Sequence, residues 1–127
     1  MRRHTAIGER ILQAAPALQD VARLVRATHE RVDGHGYPDG LAGTEIPLAS
    51  RIVFACDAFD AMTHARPYQA ARSREEAVAE LERCAGTEFD PDVVRALASE
   101  LAGAMQDHRT SAARSGSAAD SRRGTAD

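Results

Sequence analysis

The sequence predicts an all-α domain, and three observations carry that expectation. Apolar residues recur at three- and four-residue spacing in five separate stretches. No stretch alternates apolar and polar residues in the way a half-buried strand does. Two of the five stretches open on recognisable helix caps. At 127 residues the chain forms one domain at most, and no internal repeat appears.

Ile7, Ile11 and Leu12 share one face of a first helix over residues 5–14. Pro16 interrupts it, because proline lacks the amide that a helix interior needs. Leu18, Val21, Ala22, Leu24 and Val25 then recur at helical spacing, which predicts a second helix reaching Glu30. Residues 33–47 are dense in glycine and hold Pro38 and Pro47, so they read as loop. A third helix follows over 48–63. Its apolar residues Ile52, Val53, Ala55, Cys56, Phe59 and Met62 cover more than one face, which predicts a central, well-buried helix. Ser73 and Glu76 have capping-box spacing and open a fourth helix over 74–85, stopped by Gly86. Asp90-Pro91 opens the fifth, with Asp as N-cap and Pro at the first helical position, and its pattern fades near Gly103. From Gln106 to Asp127 the chain is Ser, Ala, Gly, Arg and Asp without apolar periodicity, and is expected to be a disordered tail. The domain is therefore placed at 1–105 and the tail at 106–127.

The net charge is −3, and all sixteen basic residues are Arg. With five aromatics and no basic face interleaved with them, nucleic-acid binding is not expected. No apolar run is long enough to cross a membrane, and Met1-Arg2-Arg3 precedes no apolar signal core, so no membrane association and a cytoplasmic location are expected. Cys56 and Cys84 lie inside helical patterns without a CxxC partner and read as two free, buried thiols.

Several residues carry chemistry. His4 stands at the entry to the first helix, where a lone histidine is ordinarily surface. His29 and Glu30 close the second helix before the glycine-rich loop, so His29 is either a metal ligand or a helix cap. In the loop Asp33-Gly34-His35-Gly36-Tyr37-Pro38 the glycines serve positive φ or close backbone approach. Tyr37 offers a flat face to a purine and a hydroxyl to a phosphate, or else packs on the core. Asp57 and Asp60 sit at i and i+3 on a mostly apolar helix. Buried carboxylates need cations or partners, so the pair points either to a site or to salt bridges with Arg51 or Arg66. Arg66 offers a fork that suits phosphate, or is simply solvated.

The run His29-Glu30-Arg31-Val32-Asp33-Gly34-His35-Gly36-Tyr37-Pro38, together with Arg51-Ile52, Asp57, Asp60-Ala61 and Arg66-Pro67-Tyr68, resembles the HD-GYP family over residues 4–100. These are bacterial metal-dependent phosphohydrolases that cleave cyclic di-GMP. The resemblance implies an HD-type helical bundle and a metal-hydroxide attack on the phosphodiester that releases pGpG or GMP. It implies His4, His29 and Asp57 as ligands to a divalent transition metal, iron or manganese, converging on one coordination sphere. Tyr37, Asp60 and Arg66 carry over as substrate contacts. The loop at Asp33, Gly34, Gly36 and Pro38 carries over as a pocket element, and it also suits docking of a GGDEF-type partner.

The chain departs from the family pattern at named positions. Thr28 stands where the first histidine of a His-His-Glu run is expected, and a neutral hydroxyl is a poor ligand for these metals. Thr5 replaces a proline after His4, and Gln69 replaces a basic residue after Tyr68. The His-Asp pair of the family's opening helices has no counterpart: Ala follows His64, Asp107-His108 is reversed, and there is no Lys. The expectation is a domain of this type truncated at its N-terminus, inactive toward cyclic di-GMP as an isolated chain. The alternative is a non-catalytic signalling module that binds a partner through the loop from Asp33 to Leu41. Helices two and three are expected to leave an apolar strip of more than ~400 Å², covered by self-association or by a second polypeptide.

Overall fold

The computed structural model describes residues 3–117. Five helices follow one another: α1 (His4–Gln13), α2 (Gln19–Arg26), α3 (Leu48–Thr63), α4 (Arg74–Arg83) and α5 (Pro91–Ser117). Short 3-10 turns occupy Pro16–Leu18 and Gly43–Glu45. Among the described residues there is no strand, only isolated bridges at Asp33 with Ala42, Arg66 with Gln69 and Ala85 with Phe89. The all-α expectation holds. The chain divides into two compact units, one ending at Arg95 and one beginning at Ala96.

In the first unit α1 packs on α2, and α3 packs on both α2 and α4. The buried apolar residues are mostly small: Ala22, Ala27, Ala55 and Ala77, with Ile46, Leu81, Cys84, Phe89, Val93 and Val94. Phe54 and Phe89 bring their rings to 5.1 Å. Ser50 is buried on α3, and its hydroxyl donates to the Leu24 carbonyl at 2.8 Å, which ties α3 to α2. Arg51 reaches across to Asp90 and also donates to the Ile46 carbonyl at 3.0 Å. Asp90 in turn accepts from the Asp92 amide at 2.8 Å, so the N-cap of α5 and its ion pair are one device.

The cap signals that were legible in sequence form as expected. The Ser73 hydroxyl accepts from the Glu76 amide at 3.1 Å, and the Glu76 carboxylate accepts from the Ser73 amide at 2.9 Å. Gly86, at φ +87°, turns the chain after α4.

Four expectations are corrected. The second helix ends at Arg26 rather than Glu30. Beyond it the amides of Thr28 and Glu30 bond three residues back, to Val25 and Ala27, so the helix tightens into turns. The third helix is not deeply buried: only Ser50 and Ala55 are enclosed, while Ile52 and Val53 are more than 40 % exposed. Its neighbours in this unit cover one side of it, and an apolar pattern on several faces does not create a second neighbour. Cys56, on the uncovered side, is exposed; Cys84 is buried as expected, and burial pushes its thiol pKa up. The fifth helix passes Gly103 and runs to Ser117. A single glycine among alanines lowers helix stability without ending it. Residues 118–127 of the expected tail lie outside the described residues.

Candidate functional site

The site begins where α2 stops. The Glu30 side chain turns inward and is 2 % exposed. Its carboxylate accepts the Asp39 amide at 2.6 Å and the Leu41 amide at 3.0 Å, closing the glycine-rich loop onto the end of the helix. Gly36 lies directly against residues 29–31. A Cβ there would stand 2.4 Å from the Arg31 nitrogen and 2.6 Å from both Glu30 Cα and the His29 oxygen. The close approach expected of this glycine is therefore real, and it lets the Tyr37 amide donate to the His29 carbonyl at 3.1 Å. Gly34 serves the other purpose, a turn at φ +81°. Asp33 receives the Arg31 guanidinium at 2.7 and 3.1 Å and the His35 amide at 3.0 Å. The Arg31 bonds hold the Asp33 carboxyl down at about 2. Pro38 follows through a cis peptide.

This folding stacks Tyr37 on His29, with ring centroids 5.2 Å apart and planes 11° from parallel. His4 meets His29 edge-on at 4.8 Å, and Tyr37 at 6.4 Å. Burial lowers the pKa of His29, the neighbouring His4 lowers it further, and Asp57 opposes both. The shift favours the neutral imidazole, which is the form that ligates metals. Thr28 turns away to cap the helix: its hydroxyl donates to the Val25 carbonyl at 2.9 Å.

A cleft of about 390 Å³ is lined by His29 together with Phe54, Asp57, Ala58, Asp60, Ala61 and Arg66. The structure thus gathers His29, Asp57, Asp60 and Arg66 around one cleft, with His4 and Tyr37 in contact with His29. Asp33, Gly34, Gly36 and Pro38 shape the loop and do not line the cleft. Asp57 and Asp60 are exposed, which removes the argument that burial forces them to find cations. Of the alternative partners, Arg51 goes to Asp90, and Asp60 meets His64 at 3.1 Å in a well-solvated pair. Arg66 and Gln69 exchange backbone hydrogen bonds at 2.9 and 3.0 Å, fixing a tight turn at the cleft edge. Among the described residues no group of three or more His, Cys, Asp or Glu side chains is arranged to hold a metal ion. Two imidazoles and a nearby carboxylate are suitable donors, but they do not make a complete cage.

Sequence reasoning missed Glu30 and Arg26. Glu30 read as a helix-end acid, although a carboxylate ahead of a glycine-rich run of free amides is a signal for this kind of anchor. Arg26 donates to Glu9 at 2.6 Å and forks onto Asp39, and nothing local announces either partner.

Residues 1–93 match the family model described as HD domain. The chain belongs to the HD domain family. The family expected from the loop and the third helix is the one found. This HD domain is 46% identical over 99 residues to a cyclic di-GMP phosphodiesterase of Thermotoga maritima, covering 76% of this chain and 27% of the relative. It is also 46% identical to the cyclic di-GMP phosphodiesterase response regulator RpfG of Xanthomonas campestris, over 76% of this chain and 26% of that one. A 3'3'-cGAMP-specific phosphodiesterase 3 of Vibrio cholerae is 41% identical, over 77% and 21%. The crystal structure of a cyclic GMP-AMP-specific phosphodiesterase of V. cholerae superposes with a TM-score of 0.68 at 27% identity, over 79% of this chain and 23% of that one. The HD domain described here spans about a quarter of the length of these relatives. Among the described residues no helix is long and apolar enough to cross a membrane.

Proposed function

We propose that this HD domain supplies one wall of a cyclic-dinucleotide phosphodiesterase site, and that the isolated chain binds such a ligand without hydrolysing it. The observation that carries the reading is the convergence of His29, Asp57, Asp60 and Arg66 on one cleft, with Tyr37 stacked on His29. In this reading Arg66 takes a phosphate through its fork. The Tyr37–His29 stack borders the base or sugar, and Asp60 orients the ligand. His4, His29 and Asp57 are the candidate contacts to a divalent transition metal, with iron or manganese favoured by the family resemblance. Because these donors fall short of a cage, no hydrolytic step is assigned to this chain. The relatives named above are phosphodiesterases for cyclic di-GMP or cGAMP, which supports that substrate class.

The test is calorimetric titration of the purified chain with cyclic di-GMP, alongside chromatography for pGpG and GMP. Measurable binding that weakens in Arg66→Ala, with no product above background, is expected. Metal-dependent turnover abolished by Asp57→Ala would overturn the non-hydrolytic part. Absence of binding by the unaltered chain would overturn the whole reading.

A further inference from the structure

The first two helices cross where Gly8 and Glu9 of α1 meet Val25 and Arg26 of α2. A Cβ on Gly8 would stand only 3.1 Å from Val25 Cγ1, so the glycine allows the close crossing. Beside it, the Arg26 guanidinium bonds in two directions. Its Nη1 donates to Glu9 Oε2 at 2.6 Å, while Nε and Nη2 fork onto the two Asp39 oxygens at 2.7 and 2.8 Å. One side chain on α2 therefore holds both α1 and the glycine-rich loop.

Each tie leads to the ring cluster. Glu9 shares a ten-residue helix with His4. Asp39 is separated from Tyr37 by Pro38 alone, and Arg26 lies three residues before His29. We infer that Arg26 is a positioning residue whose fork locks α1 and the loop in one arrangement, setting His4 and Tyr37 against His29 together. Lysine could not replace it, because a compact ammonium on a flexible stem lacks the planar fork that serves two acids with fixed geometry. Without the guanidinium, Glu9 and Asp39 would each lose a charge-assisted hydrogen bond. The consequence for ligand binding rests on the function proposed above; the ring contacts do not.

The test is NMR on the full chain, reading nuclear Overhauser contacts between ring protons. The Phe54–Phe89 pair, at 5.1 Å, serves as an internal reference. In Arg26→Lys the His4–His29 and Tyr37–His29 contacts should both be lost while Phe54–Phe89 remains. Glu9→Gln should lose the first, and Asp39→Asn the second. Retention of both contacts in Arg26→Lys would overturn the inference. So would loss of the phenylalanine contact along with them, which would mark Arg26 as a general structural residue. On the same samples, cyclic di-GMP binding should weaken together with the ring contacts. Unaltered binding in a variant that has lost both contacts would refute the link to the ligand.

Discussion

Replacing Glu30 with Gln tests how the loop is held. The carboxylate accepts two loop amides, at 2.6 and 3.0 Å, in a position closed to water. A glutamine of the same shape keeps one oxygen, so one amide faces an NH₂ group and loses its acceptor. Hydrogen bonds to a charged group contribute about 1.5–3 kcal/mol, and an orphaned buried donor costs about 1–3 kcal/mol. Neutralising a buried charge returns part of its desolvation cost, which opposes the loss. The hydrogen-bond effect wins because the donor–donor contact cannot be relieved by solvent. The net expectation is about 2 kcal/mol of destabilisation, equivalent to about 8–16 °C in melting temperature for a unit of this size. Thermal unfolding followed by circular dichroism gives the global number. Hydrogen exchange gives the local one: the Asp39 and Leu41 amides should lose protection first. A melting temperature within about 2 °C of the parent, with both amides still protected, would refute the reasoning.

Gly36→Ala should be more damaging to the site than to the helices. The added methyl meets backbone atoms at 2.4–2.6 Å, which no rotamer change relieves, so the loop must retreat and Tyr37 must leave His29. Unfolding should show an overpacking cost of about 1–3 kcal/mol, and survival of the Tyr37–His29 contact by NMR would contradict it. The Arg51–Asp90 pair predicts a pH effect. Burial alone would raise the Asp90 pKa, but the Arg51 hydrogen bond and the Val93 and Asp92 amides outweigh it and leave it lowered. A depressed carboxylate stabilises the fold above its unfolded pKa of about 3.9 and loses that contribution as pH falls through the folded value. Asp90→Asn should therefore be less stable than the parent at neutral pH, with a gap that narrows in acid; a gap constant from pH 7 to pH 3 would count against the pair. The exposed Ile7, Ile11, Leu18, Val21, Leu48, Ile52 and Val53 should drive self-association. Light scattering that shows a stable monomer with no affinity for a hydrophobic dye would rule this out.

Much of the fold was legible because its signals are local. The Ser73–Glu76 box and the Asp90-Pro91 start each involve residues within one turn, and the structure forms both. Helix 2 was read four residues too long because Ala27, Thr28 and Glu30 do not oppose a helix by propensity. What ends it is tertiary: Glu30 is drawn inward by two loop amides nine and eleven residues away. For Asp57 and Asp60 the residues were legible and the supporting reason was not. Their helix is apolar in pattern but exposed on the side they occupy, so burial never forced them toward a cation. Their shared cleft, with His29 and Arg66, is a property of the packing of three segments, and no local spacing encodes it.

The two sides of the cleft differ in how much a ligand must organise. His29 is held from several directions: Tyr37 stacks on it, His4 touches its edge, and its carbonyl accepts the Tyr37 amide. Its position is set before anything binds, so little side-chain entropy remains to be lost there. Asp57, Asp60 and Arg66 stand in solvent on α3 and the turn that follows it. Engaging a charged ligand would cost them rotamer freedom and hydration, and salt screens exposed charges of this kind. In the function proposed above, specific recognition would fall to the His29–Tyr37 side, where geometry is fixed. On the same proposal, the charge of Arg66 would be effective only where a ligand or a further surface excludes water from it. The loop on the His29–Tyr37 side is held from within: Glu30 accepts two of its amides, Gly36 permits its close approach to residues 29–31, and Asp33 accepts the His35 amide.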